Sequence, residues 1–369
     1  MRIAQVSPLI ESVPPQLYGG TERVVSYLTE ELVRMGSDVT LFASGDSITS
    51  AELVPVCPQA IRLAPRPCDA LAYHMLQLGL VSRRAAEFDL LHFHIDYLHY
   101  PFSRQLRVPS LTTLHGRLDL PDLHPLYSEF SEMPLVSISD SQREPLPWAN
   151  WQATVHHGLP EDLYAPSFEP GDYLAFVGRL SPEKRPDWAI EIARRAGLPL
   201  RIAAKVDAAD RAYFESTVVP LLRQPHVEMV GEVGDAEKGP FLAGARALVF
   251  PVDWPEPFGL VMIEALACGT PVIAFRRGSI PEVITDGVTG FVVDSLDDAV
   301  AAAAKTVELE RRQCRLAFLG RFSARRMAAD YLAIYERIVR PRATAWIPGA
   351  TLPGTPVGTG SGRGDVPMG

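Results

Sequence analysis

Short apolar runs alternate with helix-period stretches twice along this chain, and one break rich in Pro, Gly and acids separates the two blocks. The first block opens with "RIAQVSP" (2–8), a glycine turn in "YGGTE", a helical pattern in "ERVVSYLTEELVRMG" ending at Gly36, and a second apolar run, "DVTLFAS". Strand, loop, helix, strand is a βαβ unit, and such units build parallel sheets. "FDLLHFH", "PSLTTLH", "PLVSIS" and "WQATVHH" continue the alternation, whereas residues 44–70 read as irregular. After the break, "GLPEDLYAPSFEPGD" (158–172), the pattern restarts: "YLAFVG", a helix over 186–196, "LPLRIAAK", a helix over 209–222, "VEMVG", a helix over 236–244, "ALVFP", a helix over 257–268 and "PVIAF". Helical patterns over 295–318 and 323–340 follow. The expected class is α/β, with two Rossmann-like parallel-sheet domains facing each other across a cleft. The first is expected over 1–160, a linker over 161–172, the second over 173–325 and a C-terminal helix over 326–340. The Pro/Gly/Thr/Ser-rich tail, 341–369, reads as disordered. Its Arg363-Gly364-Asp365 carries no adhesion role where nothing suggests export. Ligands of open α/β sheets sit at the carboxyl ends of the strands, hence in the cleft.

Composition narrows the ligand. The 369 residues carry a net charge of −9, which disfavours nucleic acid as a partner because a phosphate backbone needs a basic face. An anionic ligand must instead meet locally placed Arg, Lys or backbone amides. Four scattered cysteines, Cys57, Cys68, Cys268 and Cys314, lack metal or disulfide spacing. The N-terminus lacks a signal-peptide core and no eighteen-residue apolar run occurs, so a soluble, cytoplasmic protein is expected.

The most informative stretch is "DWPEPFGLVMIEALACGTPV" (253–272), with Glu256 and Glu264 set among apolar residues. Proline favours the first position of a helix, so Pro257 predicts a helix start with Glu256 as its cap. The free amides of Phe258, Gly259 and Leu260 then offer a site for phosphate or sugar oxygens. Eight residues of helix separate the carboxylates by about 12 Å along the axis and roughly 80° around it. Glycosidase carboxyl pairs stand about 5–9.5 Å apart, so neither an acid pair nor one shared metal fits, and two roles along one extended ligand do. "FVGRLSPEKRPD" puts Arg179 and Lys184 in the loop leaving the first strand of the second block, where a diphosphate would arrive; Arg185 is equally basic. The paired glycines of "YGGTE" allow close backbone approach to a phosphate or sugar. Neither G-x-G-x-x-G nor a P-loop is present, which argues against a dehydrogenase or an NTPase. His115 ends a strand at the cleft edge, suited to bonding a sugar hydroxyl or stabilising charge. His92 and His94 share one strand face, and packing, cleft lining and a metal pair are all open. His156 and His157 lie just before the break.

Together these motifs resemble glycosyltransferase family 4, retaining nucleotide-sugar-dependent enzymes with the GT-B fold. The resemblance runs from Ile3 to about Arg340 and rests on "EPFGL…EALACGTPVIA" with "GSIPEVITDGVTGFVVD", on "VGRLSPEK" and on "YGGTERVV". It implies that Glu264 binds the ribose hydroxyls of the donor and that Glu256 faces the donor sugar, with amides from Phe258, Gly259, Leu260 and Val261 on sugar and diphosphate. Arg179 and Lys184 are implied as the pair gripping the diphosphate, Gly19 and Gly20 as the donor-side approach from the first domain, and His115 as a contact to the donor sugar. His157-Gly158 stands where the family often has Asn-Gly, and Arg185 where it often has Gly. The co-substrate implied is a nucleoside-diphosphate-sugar, UDP-glucose by default, with no metal or other cofactor. The partner is a hydroxyl acceptor on a small molecule or glycan, and scattered pairs such as Arg83-Arg84 do not form a membrane-binding patch. A GT-B epimerase or phosphorylase, and a non-catalytic nucleotide-sugar-binding protein, remain as alternatives.

Overall fold

Each apolar run of the first block becomes one strand of a single parallel sheet. The computed structural model describes residues 1–16, 19–64, 66 and 68–340; the expected tail and Tyr18 of the glycine motif lie outside them. Seven strands, β1 (Arg2–Val6), β2 (Asp38–Ala43), β3 (Glu52–Pro55), β4 (Leu90–Phe93), β5 (Ser110–Thr113), β6 (Leu135–Ser137) and β7 (Trp151–Thr154), lie in the order β3-β2-β1-β4-β5-β6-β7. Six more, β8 (Tyr173–Arg179), β9 (Leu200–Lys205), β10 (Val227–Gly231), β11 (Ala245–Phe250), β12 (Val272–Phe275) and β13 (Gly290–Val293), lie in the order β10-β9-β8-β11-β12-β13. Strand order reverses beside β1 in the first sheet and beside β8 in the second, and the crevice for a ligand opens at such a switch point. The β1–β4 and β8–β11 pairings are both parallel, so each crevice has two strand ends side by side.

The helices that matter for the site are α1 (Gly20–Arg34), α2 (Ala70–Arg84), α3 (Pro186–Ala196), α4 (Asp235–Ala243), α5 (Leu260–Ala267), α6 (Leu296–Lys305), α7 (Arg311–Arg321) and α8 (Ala324–Val339). Three sequence expectations need correction. Residues 44–70 are not wholly irregular, because Glu52–Pro55 adds a short edge strand that pairs with β2 from Thr40 to Ala43. The pattern over 295–318 is two helices, separated at Leu309-Glu310.

The third correction concerns the helix expected at Pro257, which begins at Leu260. In a helix from Pro257, the Glu256 and Phe258 carbonyls would accept from Leu260 and Met262. Instead Glu256 O accepts the Ser279 amide at 3.0 Å and Phe258 O accepts the Ser279 hydroxyl at 3.0 Å. Gly259 then turns through the left-handed region, φ 77°, before the helix can start. The residues 254–259 therefore run as a loop along the cleft, and the axial spacing derived for the two glutamates does not apply.

The C-terminal helix does not stay with the second sheet. The crossing segments bond each other, Leu159 N–H to Phe322 O at 2.9 Å and Ala324 N–H to Leu159 O at 2.7 Å. A Cβ on Gly158 would stand 2.3 Å from Ser323 O, so only glycine allows this approach. Helix α8 then packs on α1 and over the first sheet, where Tyr331 and Tyr335 are buried. Their hydroxyls answer a polar row that would otherwise be orphaned on the sheet face: Gln5, His92 and Thr113.

Candidate active site

A cleft of about 600 Å³ opens between the two sheets, lined from the first by Gly19, Gly20 and His115 and from the second by Arg179, Lys184, Glu256, Glu264 and residues Phe258 to Val261. Every site residue expected from the sequence therefore lines one cavity.

The glycine motif and the start of α5 face each other. Gly19 has φ 142°, and a Cβ there would meet Pro15 at 2.9 Å. A Cβ on Gly20 would lie 3.4 Å from Leu260 Cδ1, so the first residues of α1 and α5 are neighbours across the cleft. The first backbone bond of α5 is Met262 N–H to Gly259 O at 3.0 Å. The amides of Leu260 and Val261 precede it, so the anion-receptive amides are these two rather than those of Phe258 and Gly259.

Both glutamates are buried and each is matched by a lysine. Glu256 Oε2 bonds Lys184 Nζ and also accepts Trp254 Nε1–H at 2.8 Å. Lys184 Nζ lies 5.1 Å from the Trp254 ring centroid and 5.4 Å from that of Phe250, a cation–π setting that holds it at the cleft wall. Glu264, its side chain 3% exposed, accepts Lys238 Nζ at 2.9 Å. Lys238 also stands 3.7 Å from Asp235, which pairs with Arg23 of α1 and accepts the Tyr164 hydroxyl at 3.1 Å. Lys238 escaped the sequence reading because it sits in an ordinary helical pattern; the packing of α4 on α5 delivers it to Glu264.

Arg179 lines the cleft, but three carboxylates already engage it: Glu183 at 2.6 Å, Asp210 at 3.4 Å and Asp207 at 3.7 Å. Its charge is largely offset, and an arriving diphosphate competes for it. Arg185, left open by its position in sequence, is turned aside. It holds a left-handed backbone, φ 51°, donates to Asp187 at 2.7 Å and stacks on Trp188 at 3.7 Å.

The histidines form a connected chain, and among the described residues no group of three or more His, Cys, Asp or Glu side chains is arranged to hold a metal ion. His92 is bonded by Tyr335 Oη at 2.7 Å and Thr113 Oγ1 at 2.8 Å, and Thr113 meets Tyr331 Oη at 2.8 Å. Gln5 Oε1 stands 2.8 Å from His94 Nε2, so that nitrogen donates and His94 Nδ1 accepts from His115 Nε2–H at 2.9 Å. His115 Nδ1 is then a bare lone pair, buried and without a partner among the described residues. Burial pushes the His115 pKa down to about 3, so the ring is neutral and acts as a hydrogen-bond acceptor, not as a cation. His157 stacks on it at 5.3 Å and meets the Phe258 ring edge-on at 4.8 Å. His156 lies 3.2 Å from Glu282, whose carboxylate also caps the Asp140 and Ser141 amides at 2.8 Å across the two halves.

Residues 18–151 match the family model "Glycosyltransferase Family 4", and residues 165–317 match "Glycosyl transferases group 1". The D-inositol 3-phosphate glycosyltransferase of Mycolicibacterium smegmatis is 27% identical over 345 residues, covering 76% of each chain. Among solved structures, AviGT4, a glycosyltransferase involved in avilamycin A biosynthesis, superposes with TM-score 0.71 at 22% identity, covering 92% of this chain and 98% of that one. Anabaena HepE in complex with UDP and glucose superposes with TM-score 0.70 at 17% identity, covering 91% and 99%. These neighbours share the two-sheet GT-B architecture.

Proposed function

This chain belongs to glycosyltransferase family 4, and on that premise we propose that it moves a hexosyl group, glucose by default, from a nucleoside-diphosphate-sugar to an acceptor hydroxyl, with retention and without a divalent metal. The observation that carries this reading is the pair of buried Glu–Lys couples, Glu256–Lys184 and Glu264–Lys238, in one cleft with the amides at the start of α5. The diphosphate takes the Leu260 and Val261 amides and the Lys184 ammonium, a set of donors that stabilises charge on the departing group. Glu264, held by Lys238, accepts from the ribose hydroxyls. Glu256 faces the sugar, and His115 Nδ1 accepts from one of its hydroxyls. The acceptor oxygen attacks the anomeric carbon from the face that the diphosphate leaves, and its proton passes to a departing phosphate oxygen. The sugar–phosphate bond breaks, the new glycosidic bond forms on the same face, and the nucleoside diphosphate is released.

Binding of UDP and glucose by HepE supports UDP-glucose as the first donor to assay. All four cysteines are free thiols, which supports a reducing, cytoplasmic setting. Among the described residues no helix is long and apolar enough to cross a membrane. The test is turnover of UDP-glucose against an acceptor panel in the presence of EDTA, with the anomeric configuration of the product read by NMR. Unchanged turnover in both Lys184→Ala and Glu264→Ala, or an inverted product, overturns the reading.

A further inference from the structure

A second recess opens from the cleft beside His115, at the switch point of the first sheet where β1 and β4 end side by side. Its volume is about 350 Å³, and Pro8, Thr21, His115 and Gly116 line both it and the main cleft. The proposed function uses only the donor side of this space. We infer that the recess is the acceptor subsite and that it takes an uncharged, hydroxyl-rich acceptor rather than a phosphorylated one.

The one charged side chain that lines it is an acceptor, Asp96, beside the Thr21 hydroxyl, which donates or accepts. Asp96, the first residue after Ile95 beyond β4, reaches solvent there, and no donor among the described residues bonds its carboxylate. Its backbone sits in the left-handed region, φ 50°, which holds the side chain at the recess rather than along the run of the strand. The surrounding protein raises the carboxyl pKa to about 6, leaving it largely ionised at neutral pH. His74, buried on α2, has its Nδ1 2.7 Å from Ala70 O. A carbonyl oxygen only accepts, so Nδ1 carries a proton. His115, whose Nδ1 is taken by the donor sugar in the proposed function, stands at the junction with the donor cleft.

An unpaired carboxylate calls for a ligand rich in donors, which a polyol or sugar supplies at each hydroxyl. A phosphate ester supplies oxygens that only accept at neutral pH, and it needs a cation or amide cluster. No lysine or arginine is among the residues lining the recess. Phosphate there would meet the Asp96 carboxylate without a compensating charge, as an acceptor like that in the relatives' name, D-inositol 3-phosphate, would require. The sharing of His115 by both cavities sets the acceptor hydroxyl next to the donor sugar.

The inference rests on the transferase reading, so the experiment separates the two. Initial rates with UDP-glucose are measured for myo-inositol, glucose and sucrose against D-inositol 3-phosphate and glucose 6-phosphate, alongside calorimetric binding of UDP. The expected result is at least a tenfold higher kcat/KM for a neutral acceptor over its phosphate ester. Asp96→Asn keeps a residue that tolerates the left-handed backbone and is expected to raise KM for the neutral acceptor about tenfold, the loss of one charge-assisted hydrogen bond, with UDP affinity unchanged. Asp96→Arg is expected to shift preference toward the phosphate esters. Wild-type preference for a phosphate ester, or an acceptor KM within twofold in Asp96→Asn, overturns the inference and leaves the transferase reading intact. Absence of both UDP binding and turnover overturns the transferase reading and the inference with it.

Discussion

Acidification should unfold this protein steeply, because five histidines are sealed neutral inside it. His92, His94, His99, His115 and His157 all have pKa values driven below 6.5 by burial, His115 to about 3. A depressed histidine binds its proton in the unfolded state first, so the folded state loses stability as pH falls below 6.5 toward the folded pKa. Integrating from pH 6.5 to 5.5 gives about 1 kcal/mol per histidine, or about 5 kcal/mol for the five. Folded domains hold about 5–15 kcal/mol in all, so the unfolding midpoint at 25 °C is expected near pH 5. Asp96, raised to about 6, and Glu11, Glu22, Glu31 and Asp210, also raised by burial, work in the opposite sense, since the folded state takes those protons first, and they offset part of the histidine effect. The assay is urea unfolding followed by circular dichroism at a series of pH values. The slope of log K for unfolding against pH counts the net protons taken up and should reach about three at pH 6. A slope of one or less, or a midpoint urea concentration constant from pH 7 to 5.5, refutes the reasoning.

Four further outcomes follow from the site. Glu264→Gln keeps the shape but leaves Lys238 with Asp235 at 3.7 Å, and calorimetry should show UDP binding weakened about 30- to 100-fold for the loss of charge-assisted bonds to the ribose. Glu256→Gln should instead lower kcat at least tenfold with UDP affinity within threefold, read from steady-state rates. Gly20→Ala meets only Leu260 at 3.4 Å and should keep its thermal midpoint while weakening UDP binding, whereas Gly259→Ala, at φ 77° and 2.9 Å from Met262, should lower the midpoint by several degrees. Tyr335→Phe removes the partner of both His92 and Gln5, and urea unfolding should show a loss of about 2–4 kcal/mol.

Much of the architecture was legible because parallel-sheet strands must be apolar and their crossover helices periodic. That pattern located strands β1, β2 and β4 to β12 but not β13, Gly290–Val293. It missed β3, whose four residues, ELVP, are too short and too exposed to carry a signal. It also misread Pro257, since a proline favours a helix start only when the carbonyls around it are free. Here Ser279, distant in sequence, takes two of them.

The sequence by itself determined the two-block α/β plan, the glycines that admit a ligand backbone-close, and several of the residues that line the cleft, because local periodicity, residue chemistry and motif spacing are properties of neighbours along the chain. Tertiary structure decided what state those residues are in. Lys238 reaches Glu264 only because α4 packs on α5, Arg179 gains Asp207 and Asp210 beside its local partner Glu183 only because that turn folds back on it, and His115 is a neutral acceptor because it lies in a dry interior and bonds His94, itself held by Gln5. Charge, protonation and the direction of a hydrogen bond depend on partners far away in sequence, and only the folded chain supplies them.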